Sequence, residues 1–242
     1  MIVPTGPALW LFLAVVAFCV AWFVVGVART ARPSRRWLDG GVALGGSAAW
    51  IALFSAPTAL GWVTPEAALP GVPILMGSML ALSLGLALSP LGRRLAHGLP
   101  LWALVGFQAM RLPLEIVLHL WGEQGVAPPQ MTWSGQNLDV ITGVVCLLVA
   151  PFAGRSRVLA WASQIVGIVL LLNVMRIVVT SLPTPLRQFD APLLLPFSVP
   201  AVWIAGVCVF GAILVHALTL RRLLSAPAGS ADQARITGTR RT

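Results

Sequence analysis

Apolar residues run in seven long blocks separated by short connections rich in proline, glycine or arginine. The blocks cover residues 8–28, 38–56, 71–88, 99–121, 138–153, 158–182 and 196–220. A helix needs roughly 20 predominantly apolar residues to cross the hydrocarbon core of a bilayer. The pattern therefore predicts an all-α, polytopic transmembrane helical bundle with seven spans. Block 138–153 is short for a straight crossing. Either the preceding connection enters the protein interior or the helix begins earlier.

The ends of the blocks predict topology. Arg29, Arg32, Arg35 and Arg36 follow the first block, Arg93 and Arg94 the third, Arg155 and Arg157 the fifth, and Arg221 and Arg222 the last. With Arg235, Arg240 and Arg241 these make 13 arginines on one side, against Arg187 alone in an opposite connection. Basic residues accumulate in cytoplasmic loops, which predicts an N-out/C-in arrangement. Residues 1–7 lack the basic start of a cleaved signal peptide, so the first block is read as a retained span. Residues 1–224 are expected to form a single transmembrane domain, and 225–242 a flexible, basic cytoplasmic tail.

One block departs from the apolar pattern in an ordered way. Gln108, Arg111, Glu115 and His119 are spaced by three, four and four residues, which puts them on one helix face. Charge at membrane depth is expensive unless it is paired or faces a polar cavity, and it marks a functional-site hypothesis. Asn173 and Arg176 lie three apart in the sixth block, while Asn137 and Asp139 begin the fifth. The predicted topology places seven of the eight in the outer half of the membrane, with Gln108 at the deeper end of the group. Pro113, between Arg111 and Glu115, is expected to kink its helix and free a backbone carbonyl.

Composition sharpens this picture. The chain has 242 residues, of which 58% are hydrophobic and 10% charged, with mean hydropathy +0.90. That is too little charge to cover a water-soluble domain. The formal net charge is +9, carried by arginines grouped between apolar blocks. Such groups fit topology and anionic lipid headgroups, and no nucleic-acid-binding motif accompanies them. Membrane lipids are the expected partners and nucleic acid is not.

Chemical motifs narrow the options further. Cys19, Cys146 and Cys208 all lie within apolar blocks, so no disulfide framework is expected. His97, His119 and His216 fall at different depths, and no metal-ligand spacing occurs. No metal or other cofactor is predicted. The chain has no G-x-S-x-G elbow. Ser134 lies near His119 and Asp139 in the predicted topology but fits a turn residue equally well. Glu115 with Asp139 could form an acid/base pair, yet the arginines account for both as ion-pair partners.

Three segments together resemble a family of small bacterial multi-spanning membrane proteins of unknown function. These are Arg111-Leu112-Pro113-Leu114-Glu115, the connection Pro129 to Asp139 with Thr142-Gly143, and Asn173-Val174-Met175-Arg176. The resemblance implies a bacterial inner (cytoplasmic) membrane location and a defined Pro129 to Gly143 element, but no activity. Asn173-Val174-Met175-Arg176-Ile177 is also similar to a span of exosortase-like membrane transpeptidases. Those enzymes are expected to join such an Arg to an external-side Cys and a His, and here no Cys holds a comparable outer position.

The candidate polar site is thus Gln108, Arg111, Glu115, His119, Asn137, Asp139, Asn173 and Arg176. The expected function is that of a membrane accessory protein binding a small anionic or lipid-derived ligand, or a membrane-protein partner, in an outward-facing cavity. The same residues leave three alternatives open: a proton- or solute-coupled transporter, an intramembrane enzyme acting on a lipid or lipid-linked substrate, and a purely structural ion-pair network. A transporter predicts a polar path continuing from Gln108 toward Gln164 and His216.

Overall fold

The computed structural model describes residues 5–225. Residues 226–242, nearly all of the expected tail, lie outside the described residues. Every regular element among the described residues is helical. Helix α1 spans Gly6–Thr30, α2 Arg36–Ala59, α3 Gly71–Leu88 and α4 Pro90–Gly98. Helices α5 (Leu101–Phe107) and α6 (Arg111–Glu123) are joined by a 3-10 turn, Gln108–Met110. Helix α7 is Val140–Val149, α8 is Arg157–Ser181, and α9 (Phe210–Leu224) continues a π-helical segment, Ile204–Val209.

Among the described residues six helical runs are long and apolar enough to cross a membrane: Gly6–Thr30, Pro33–Ala59, Gly71–Leu88, Leu101–Glu123, Arg157–Ser181 and Ile204–Leu224. The chain is an all-α protein consistent with a polytopic membrane bundle. The remaining apolar helix, Val140–Phe152, is shorter. Large apolar side chains such as Leu53, Val158 and Leu172 point outward, as they must where lipid replaces water as solvent.

Local chemistry explains the departures from the apolar blocks. Block 196–220 begins with a 3-10 turn at Leu195–Phe197 and becomes continuously helical only around Ile204, running to Leu224, because Pro196 and Pro200 interrupt the expected first turns. Block 99–121 is one continuous helical run with a tightened turn at Gln108–Met110. Pro113 lacks an N–H, and its ring would clash with the carbonyl of Ala109 four residues back, which accounts for the 3-10 geometry there. In the π segment the Gly206 carbonyl accepts from the Trp50 indole at 2.7 Å, tying α2 to the bundle.

Helix α1 packs along α2 and α6, α3 packs on α9, and α7 sits against both the 3-10 turn and α8. Phe12 of α1 meets Trp121 of α6 edge-on, with ring centroids 5.1 Å apart, inside the largest core cluster. The arginines at one end of the bundle do more than mark topology. Arg221 donates to Ala87 O at 2.7 Å and Ser89 O at 3.2 Å. Arg222 donates to the carbonyls of Ala96 and Leu99, and Arg157 to Leu223 O. Each guanidinium satisfies carbonyls that a helix C-terminus leaves without intrahelical partners.

Candidate functional site

Arg111 is the centre of a polar network deep in the bundle. It opens α6, is 1% exposed, and pairs with Asp139 at the N-terminal edge of α7. Asp139 also accepts from the Thr142 hydroxyl at 2.9 Å, one turn into the same helix. A carboxylate there faces the positive end of the α7 dipole as well as the guanidinium. The Arg111 Nε donates to Gln108 Oε1 at 3.3 Å, and Gln108 Nε2 donates to Ala212 O of α9 at 3.1 Å. Four residues thereby join three helical runs through charge-assisted and neutral hydrogen bonds.

The network continues through residues that the helix-face pattern did not include. Arg111 Nη2 lies 3.4 Å from His216 Nε2, and His216 Nδ1 lies 2.8 Å from Gln164 Oε1. The Gln164 oxygen can only accept, which assigns the hydrogen of His216 to Nδ1 and leaves Nε2 as the acceptor facing Arg111. The close approach rests on glycine. A Cβ on Gly167 would come within 2.6 Å of His216 Cε1, and one on Gly143 within 2.8 Å of the Leu112 backbone nitrogen. A side chain at either position would push apart the helices that carry the network.

Glu115 forms the next part of the network, toward the end of the bundle opposite the clustered arginines. It is 1% exposed and accepts from Asn137 Nδ2 at 2.8 and 3.0 Å. Asn137 also donates to Met131 O at 3.1 Å, and its Oδ1 accepts from Asp139 N at 3.2 Å. The connection between α6 and α7 is therefore a packed element. Gln130 fastens it to Ser181 Oγ and Ala191 O, at 3.0 and 2.7 Å. The shortness of block 138–153 is resolved in the same way: α7 starts at Val140, and the connection before it sends Gln130, Met131, Thr132, Asn137 and Asp139 into the protein interior.

Asn173 and Arg176 occupy a different setting. Arg176 is exposed, and among the described residues it makes no salt bridge. Its Nη2 donates to Gln136 Oε1 at 2.8 Å and to Asn173 Oδ1 at 3.0 Å, while Asn173 Nδ2 donates to Gln136 O at 2.9 Å. The expected meeting of Arg176 with Glu115 or Asp139 does not occur. Asp139 pairs with Arg111 and Glu115 with Asn137, leaving Arg176 to two neutral amides. His119 is separate again, stacked on Trp133 with centroids 4.3 Å apart and its Nε2 3.7 Å from Glu123. No hydrogen bond joins it to Ser134 among the described residues.

The chain matches no known family model, no curated protein and no solved structure. What the site can do follows from its geometry alone. Gln108, Arg111, Glu115, Asn137 and Asp139 are between 0 and 6% exposed and hold one another in an internal ion-pair and hydrogen-bond network. Toward the arginine-rich end the network stops at Gln164, whose Nε2 is buried without a partner. One turn farther, Ala160 packs with Val105, Cys146, Ala153 and Leu223 in an apolar cluster. The bonded part of the polar path expected of a transporter reaches Gln164 and His216, and the buried hydroxyls of Ser163 and Thr219 beside them turn back onto their own helices.

The candidate site left out Gln136, Thr142, Gln164 and His216, although Gln164 and His216 stood as the continuation expected of a transporter. For His216 and Gln164 a signal was available: each is a polar residue inside an apolar block. Gln136 gave none, because a connection full of polar residues does not reveal which one turns back onto a neighbouring helix.

Proposed function

We propose that this protein is a membrane accessory protein that binds an anionic group of a ligand or partner at Arg176, supported by Asn173 and Gln136. The observation that carries this reading is the lack of a countercharge at Arg176 among the described residues. Its two hydrogen-bond acceptors are amide oxygens, which orient the guanidinium without cancelling its charge. Arg111, by contrast, has its carboxylate in place. An incoming carboxylate or phosphate would meet the uncancelled charge and the N–H groups of Nη1, the guanidinium nitrogen that Asn173 and Gln136 leave free.

The buried network serves this site as its support. Gln136, Asn137 and Asp139 belong to one short segment, and they reach Arg176, Glu115 and Arg111 respectively. Rigid partners on both sides of Asn137 fix the backbone from which Gln136 positions the exposed guanidinium. The hydrogen-bonded network ends at Gln164, which favours binding over conduction through the bundle.

In this reading the protein is a seven-span bacterial inner-membrane protein with its N-terminus outside. The lopsided distribution of arginines supports that orientation, and it places Arg176 toward the outer face. Membership of the family of small multi-spanning proteins of unknown function is proposed on the same residues. Its support is that the three resembling segments lie together, in contact through Gln136, Asn137 and Asp139. Complementation of a gene deletion tests the site. Arg176→Gln should reach wild-type levels in the membrane yet fail to restore the phenotype, whereas Arg176→Lys should restore it in part. Full restoration by Arg176→Gln would refute the proposal.

A further inference from the structure

A second feature lies at the other end of the bundle. Between α1, α2, α4 and the π segment with α9 is a cleft of about 460 Å³, within the size range of small-molecule sites. It exists because α2 packs along α1 but meets the rest of the bundle mainly around the π segment, where Trp50 and Phe54 dock. From Asp39 to Trp50 the cleft follows α2 for roughly 16 Å at the helical rise of about 1.5 Å per residue. Its inner walls are apolar, with Trp22, Phe107 and Phe210 among them. Val42 lines it and is also 67% exposed, so the cleft opens sideways beside α2.

The mouth has a different chemistry. Arg35, Asp39 and Arg94 line it, with Asp39 3.5 Å from Arg35 and 2.8 Å from Arg94. Two guanidiniums share one carboxylate, which leaves a net positive charge. Asp39 engages Arg94 through Nη1 alone, and the Arg94 side chain stays 36% exposed at the mouth. A long apolar slot, open sideways toward lipid and ending at an under-neutralised pair of arginines, suits an amphiphile with an anionic head.

We propose that this cleft binds one acyl chain of an anionic phospholipid, with the phosphate seated on Arg94 and Arg35. The lipid enters past Val42, its second chain remains in the bilayer, and its phosphate takes the donors that Asp39 leaves free. This site is separate from Arg176 and does not depend on the function proposed there.

Native mass spectrometry of the full chain tests the inference, after equilibration in mixed micelles with equal amounts of phosphatidylglycerol and phosphatidylcholine. The wild type should retain one phosphatidylglycerol, with a preference of about tenfold over phosphatidylcholine, as expected for charge-assisted contacts. Arg94→Gln should bring that preference close to parity, and Arg35→Gln should lower it, its side chain being 63% exposed and dispensable for packing. Gly46 lines the cleft, and a Cβ there meets nothing within 4 Å. Gly46→Phe should therefore fill the slot and abolish retention without lowering the unfolding midpoint. Arg176→Gln should leave retention unchanged. Equal retention of the two lipids by the wild type would overturn the proposal. So would undiminished retention by Gly46→Phe, loss of retention in Arg176→Gln, or a preference that survives both mouth substitutions.

Discussion

Arg111 and Arg176 begin from the same local arrangement. Each follows an amide residue by three positions, and each donates its Nε to that amide oxygen at 3.3 Å. Both then reach the connection before α7, where the similarity ends. Arg111 finds the carboxylate of Asp139 in a site sealed by Gln108, Thr142 and His216, while Arg176 finds the neutral Gln136 at the exposed edge. The same short sequence pattern therefore supports two roles. Burial and countercharge decide between them: a paired buried arginine holds helices together, and an unpaired exposed one remains available to an external anion.

Substitutions at the buried arginine should have the largest effect. Arg111→Met strands the Asp139 carboxylate in the interior and should destabilise the bundle by about 3–5 kcal/mol. Detergent-solubilised protein titrated with sodium dodecyl sulfate would measure this. Replacing both partners, as Arg111→Met with Asp139→Leu, should recover much of the loss, because no charge is then left unpaired. A double variant as unstable as the single would show that the pair contributes through something other than mutual neutralisation.

Tight packing around the network sets the next scale. Gly167→Val would drive a side chain into His216 and should cost about 1–3 kcal/mol in the same titration. The His216→Ala background should relieve part of that cost by removing the ring. Equal penalties in both backgrounds would place the strain elsewhere. The exposed arginine should show the smallest effect on stability: Arg176→Gln should change it by no more than about 0.5 kcal/mol, since nothing buried depends on it.

The helical class was legible because six runs of apolar residues match the thickness of a bilayer. The stripe from Gln108 to Glu115 was legible because helical periodicity brings residues three and four apart onto one face. Partner choice was not. Asn137 and Asp139 are two residues apart, yet one turns to Glu115 and the other to Arg111, a choice made by the fold of residues 129–139. The late start of the last helix could have been read from Pro196 and Pro200, but mean hydropathy carried the apolar block across them. His216 was legible as a point on a polar path from Gln108, but its contact with Arg111 was not, because its partners come from α6 and α8, distant in sequence.

Paired double-mutant cycles would test the contrast between the arginines most directly. Unfolding free energies are needed for Arg111→Met and Asp139→Leu, singly and together, and for Arg176→Gln and Gln136→Ala, singly and together. The account predicts a coupling of about 2–3 kcal/mol for the buried pair and less than about 0.5 kcal/mol for the exposed one. A coupling between Arg176 and Gln136 as large as that between Arg111 and Asp139 would contradict it, because Arg176 would then be a structural residue like its counterpart.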